Sequence, residues 1–127
     1  MDISKVKAEM NKVAQGQLTL TPTTCPMLAH REHGVMCYAA TYDAEEFGRR
    51  VDALDSQTLR PVTGWRDDYG VMSGIYEYQG QPYEVGLNFV RMGEGWLWDG
   101  PEFAELKKLK APGYVAISVS DKSPRDH

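Results

Sequence analysis

The sequence predicts an α+β domain: an antiparallel sheet of about five strands with a central meander over about 59–98, and three helices, at about 3–15, 43–55 and 101–110, packed mainly on one face. Three observations lead there. In three separate stretches apolar residues recur at three- and four-residue steps, the helical period. Between the second and third stretches the period drops to two, the strand period. The strand-like runs are joined by turns of a few residues, too short for the crossover that a parallel pair requires.

Each element has its own grounds. Ile3, Val6, Met10 and Val13 make the stripe of the first helix, with Asp2 placed to cap it and Gly16 to end it in the left-handed conformation. Leu18 and Leu20 alternate with polar neighbours over 17–21, as in an edge strand. Pro22 and Pro26 make the next segment, to Gly34, irregular, because proline suits neither a helix interior nor a sheet ladder. Val35 to Tyr42 reads as a buried strand, with Val35, Cys37 and Ala39 on one face. Asp43 then caps the second helix, with Glu46 as capping-box partner and Tyr42 facing Phe47 as a hydrophobic staple. Phe47, Val51 and Leu54 form its buried stripe, and Glu45–Arg49 and Glu46–Arg50 are expected as ion pairs on its wet side.

In the meander, Met72, Tyr76 and Tyr78 share a face, and after the turn at Gln79–Pro82 so do Tyr83, Val85, Leu87 and Phe89. Gly74 and Gly86, inside the strand patterns, suggest a bulge or a close approach. The chain turns again at 92–95 into Trp96 and Trp98. Pro101 opens the third helix, whose apolar residues are Phe103, Leu106 and Leu109. A last strand, Tyr114 to Val119, follows Pro112-Gly113 and turns Val115, Ile117 and Val119 inward. Residues 1–120 read as one domain and 121–127 as a flexible polar tail.

The run Gly74-Ile-Tyr-Glu-Tyr, the partner Tyr83-Glu-Val-Gly-Leu-Asn-Phe-Val and the step to Trp96 resemble the strand meander of cystatin-like and nuclear-transport-factor-2-like domains. The resemblance lies in patterning over a minor part of the chain. The helix and strand after the meander depart from it, and no functional residue is carried over.

Composition narrows the function. With 127 residues, 42% hydrophobic and 25% charged, the chain has an ordinary soluble composition and is long enough to build its own core. A net charge of −4 argues against nucleic acid as partner, since phosphate neutralisation needs clustered Lys and Arg, and it suits a basic protein. No apolar leader opens the sequence and no run has the length of a membrane span. Two cysteines in such a chain are expected to be reduced thiols, and the expected location is cytoplasmic.

Two segments carry candidate sites. Between Gly64 and Gly70, Trp65, Arg66, Asp67, Asp68 and Tyr69 bring together the residue types of binding hot spots, with carboxylates for charge complementarity. The alternative is a plain hairpin turn with Trp65 in the core. The other segment is Cys25 to Cys37, which holds both cysteines and, as His30 and His33, two of the three histidines. Thiolate and imidazole bind zinc, and these four residues supply four ligands, though without the usual close cysteine pair. A catalytic reading would make Cys25 a nucleophile with His30 or His33 as base. Outside the zinc alternative no cofactor is expected, and no motif names an enzyme class.

The expected function is therefore a small acidic protein-binding module that acts by occupying a partner's surface. Its size and charge resemble those of bacterial immunity proteins and of phage-encoded, anti-defence inhibitors. Two alternatives stand beside it. One is zinc binding through Cys25, His30, His33 and Cys37. The other is a small-ligand pocket over the meander, lined by Tyr76, Tyr78, Tyr83, Phe89, Trp96 and Trp98, which the core reading would instead make solid.

Overall fold

The computed structural model describes residues 2–54, 58–68, 70–92 and 100–121. Trp96, Trp98 and the tail from 122 lie outside them, as does Tyr69. The fold is α+β: among the described residues there are seven strands, paired antiparallel throughout, and four α-helices.

Helix α1 runs Ile3–Gly16 and buries Val6, Met10 and Ala14. Asp2 caps it by accepting a hydrogen bond from the Lys5 amide at 3.0 Å. Its end differs from expectation. Gly16 is not left-handed, and the positive φ falls on Thr19 at 53°. The physical reason lies in the hydrogen bonds: the amides of Gln17 and Leu18 bond back to the Val13 carbonyl and that of Leu20 to Ala14. The chain thus wraps the helix end, which buries Leu18 and Leu20 without making a strand of them.

The edge strand instead comes later, as β1, Thr21–Thr23, with Pro22 at its centre. Proline is tolerated there because an edge strand needs ladder bonds on one side only. A short helix not legible in the sequence, α2 (Leu28–Glu32), follows, and then β2, Met36–Ala40. Helix α3, Ala44–Asp52, is capped by Asp43, whose carboxylate accepts from the Glu46 amide at 2.9 Å. The reciprocal half of the capping box is replaced: the Glu46 carboxylate accepts from Arg49 and Arg50. Glu45 turns away from Arg49 to a residue on the sheet, described below.

Strands β3 (Leu59–Pro61) and β4 (Arg66–Asp68) pair with opposite halves of β5, Val71–Tyr78. They are two pieces of one hairpin arm interrupted by a bulge, at which the Val62 and Thr63 amides both donate to the Ile75 carbonyl. Asp68 pairs with Val71, and the connection between them carries Gly70 at φ 82°. The β5–β6 turn similarly places Gly80 at φ 75°. Strand β6 is Tyr83–Arg91; a 3-10 turn at Pro101–Phe103 leads into α4, Ala104–Lys108, and β7 is Gly113–Asp121. The strand order is β1-β2-β7-β6-β5-β3, with β4 also on β5. Of the short strands, β1 takes the place of the edge strand expected over 17–21, and β3 and β4 are two pieces of the expected meander; the meander strand expected at Trp96 and Trp98 lies outside the described residues.

Alternation then sorts the sheet into two faces. One carries Met72, Tyr76, Val85, Leu87, Phe89, Val115 and Ile117, and α1 and α3 pack on it to make the larger core. The other carries Cys37, Ala39, Val90, Tyr114 and Ala116, over which Phe103 and Leu106 close a smaller core. Two helices thus share one face as expected, while α4 covers the other. Leu109, expected inside, is 46% exposed, because α4 stops at Lys108.

Candidate functional site

Trp65 sits in the bulge of the β3–β4 arm, half-buried, and its ring packs inward. It meets Phe47 of α3 edge-to-face, with ring centroids 5.9 Å apart, and tilts against Tyr76 at 5.8 Å. The room for it is made by Gly74: a Cβ there would come within 3.1 Å of the indole ring. The glycine inside the strand pattern is therefore a close approach. Trp65 pins the arm to the body of the protein, and the three residues after it face outward.

Arg66, Asp67 and Asp68 are all exposed along β4, an edge that bonds only to β5. Asp67 is fixed in place by Arg91 at the end of β6, which donates to its two carboxylate oxygens at 2.5 and 2.7 Å. The same guanidinium reaches Glu45 of α3 at 3.0 Å. Arg91 lowers the pKa of Asp67 chiefly by these hydrogen bonds, with its positive charge adding to them, and Arg91 is itself held firmly protonated. Of the five residues expected to form a hot spot, the structure brings Arg66, Asp67 and Asp68 to one exposed edge, turns Trp65 inward and does not describe Tyr69. Arg91 and Glu45 were missed. Nothing local signals them, because their pairing spans three separate elements.

In the Cys25–Cys37 window the two sulfurs are bonded to each other, with the Cα atoms 5.1 Å apart. The expectation of reduced thiols is corrected. The reason is topological: Thr23 pairs with Cys37 in the β1–β2 ladder, so the chain two residues past Thr23 has Cys25 within reach. Bridged sulfurs are neither thiolate ligands nor nucleophiles, so as folded the four-ligand zinc set lacks two members and the Cys25 nucleophile is absent. Among the described residues no group of three or more His, Cys, Asp or Glu side chains is placed to hold a metal ion.

His30 lies on α2, partly buried beside the Tyr114 ring at 6.4 Å, and burial lowers its pKa. Its Nδ1 is buried with no hydrogen-bond partner. His33 ends α2 and is exposed. Two clefts open beside the bridge. One, of about 540 Å³, runs from Thr23 and Thr24 to Glu102 and Glu105, and the other, of about 370 Å³, lies towards Tyr38.

Over the meander Tyr76 is part of the larger core at 4% exposure, and Tyr83 packs on its rim. Phe89 is wholly buried. An opening of about 230 Å³ is bordered by Tyr78 and by Val13 of α1. Among the described residues no helix is long and apolar enough to cross a membrane. Comparison with family models, with curated proteins and with solved structures found no match.

Proposed function

We propose that the chain is a small acidic protein-binding module of the inhibitor or immunity type, acting by occupying a partner's surface. The observation that carries this reading is the clamped β4 edge. Arg66, Asp67 and Asp68 are exposed on a strand whose arm is pinned by Trp65, and the Asp67 side chain is held by Arg91. A contact surface already fixed in the free protein loses little conformational freedom on binding, which is where much affinity is otherwise spent. The net charge of −4 favours a basic partner and faster encounter with it.

The role of Trp65 changes accordingly: it supports the surface from inside. The test is affinity capture from host extract with the wild type, followed by calorimetry of the captured partner against Arg66→Ala and Asp68→Lys. Both variants should weaken binding, by about 1–2 kcal/mol or more, with unchanged melting. Equal affinity in both removes the β4 edge from the interaction.

The cytoplasmic location read from the sequence and the Cys25–Cys37 bridge pull in opposite directions, because permanent disulfides belong to oxidising compartments and cytoplasmic ones are transient. Thiol trapping in intact host cells decides between them. A chain trapped wholly bridged belongs in an oxidising compartment, and one trapped with free thiols in the cytoplasm.

A further inference from the structure

Cys25 borders both clefts beside the bridge, whereas Cys37 borders only the smaller. The larger cleft is thus bordered by Cys25 and not by its partner, and both cysteines are buried until their cover shifts. Arg31 borders both clefts, and Glu102 and Glu105 line the larger. The cover over the sulfurs is lightly anchored. Between Thr21 and Gly34 only Cys25 and Pro26 are buried, and α2 buries no residue. Such a segment opens at far less cost than the whole domain. The Val35 carbonyl oxygen lies 3.2 Å from Cys25 Sγ, an acceptor in place for the thiol that reduction creates.

We propose that the Cys25–Cys37 bridge is a site of reversible thiol–disulfide exchange, attacked at Cys25 through the larger cleft by a protein dithiol. A thiolate of the dithiol bonds to Cys25 Sγ as the Cys25–Cys37 bond breaks, and Cys37 leaves with the electron pair. The second thiolate of the dithiol then attacks its own sulfur in the mixed disulfide and releases Cys25. The dithiol ends as a disulfide, oxidised by two electrons; the two cysteines end as thiols, taking up the two protons that the dithiol gave up. Arg31 favours the attacking thiolate electrostatically, while Glu102 and Glu105 oppose it. Reduction removes the disulfide cross-link between the β1–α2 segment and β2 and leaves the chain and the β1–β2 ladder, so the wall shared by both clefts is loosened.

The test uses the intact bridged protein under native conditions. It is incubated with dithiothreitol, alkylated with iodoacetamide and weighed, two added alkyl groups marking reduction. A parallel incubation with reduced glutathione, quenched in acid and mapped by peptide mass, locates the mixed disulfide. Reduction is expected to outrun global unfolding measured by denaturant jump, with glutathione on Cys25. The rate should fall about threefold or more in Arg31→Gln and rise in Glu102→Gln/Glu105→Gln, with melting of the bridged forms unchanged. Reduction at the global unfolding rate, glutathione on Cys37, or rates indifferent to both sets of charges would each overturn the proposal.

Discussion

Arg91 holds Asp67 by two hydrogen bonds, of 2.5 and 2.7 Å, across the gap between the end of β6 and the β4 edge. The pair is half in water: the Arg91 side chain is 16% exposed and that of Asp67 54%. Screening therefore limits its worth, and Asp67→Asn should lower the unfolding free energy by only about 0.5–1 kcal/mol, less in high salt. The pH dependence has a definite sign. The carboxyl is depressed below its ordinary 3.8, so its contribution is complete above that value and is lost as pH falls through the lower folded value. Urea unfolding of wild type and variant should differ at pH 6 and draw together only as the pH is taken below 3.8; a constant difference would contradict the pairing.

Gly74 and Trp65 should be coupled. A methyl at Gly74 would press on the indole ring at 3.1 Å and on Tyr76 at 3.3 Å, and the indole is wedged against Phe47. Gly74→Ala is expected to cost about 1–3 kcal/mol by overpacking. In a Trp65→Ala background only the Tyr76 contact remains, and the same change should cost much less, because the indole is gone and alanine suits a strand better than glycine. A double-mutant cycle in denaturant checks this. Equal costs in both backgrounds would mean that the ring does not occupy the glycine's place.

Much of this architecture was legible in the sequence, for a physical reason that also marks its limit. Elements that bury a face announce themselves by period, and α1, α3, β5, β6 and β7 each do. The short β1, α2 and β4 bury little or nothing, so they leave no period to read, and Pro22 argued against the first of them. The site divides in the same way. Arg66, Asp67 and Asp68 stood out as a charged run beside a turn. The bridge, the Arg91 clamp and the inward turn of Trp65 depend on register between distant strands, which composition and spacing do not contain.

His30 should make stability depend on pH in the mildly acidic range. Burial lowers its pKa below 6.5, so the folded state prefers the neutral ring. Its contribution is therefore complete above pH 6.5 and is lost as pH falls below that value towards the folded one. His30→Phe keeps an aromatic ring beside Tyr114 and removes the titration. Melting temperature between pH 7.5 and 5 should fall more steeply in the wild type than in the variant; parallel slopes would show that the ring is charged or solvated in the fold.

Finally, the domain should survive loss of its bridge. The larger core, from Val6 and Met10 to Phe89 and Ile117, contains neither cysteine. The bridge joins residues 12 apart in sequence, and closing a loop of that size stabilises by roughly 3 kcal/mol, mainly through the unfolded chain. Cys25→Ala/Cys37→Ala is the appropriate variant, since serine would bury hydroxyls at sites that are 6% and 5% exposed. It should melt roughly 10 °C lower, at a few degrees per kcal/mol for a chain of this size, and keep the secondary structure of the wild type. A cooperative melt with a native circular dichroism spectrum would place the covalent tie in the β1–α2 segment alone. An unfolded variant would mean that the apolar faces of α1 and α3 are insufficient to close the sheet, and that the bridge is part of the foundation.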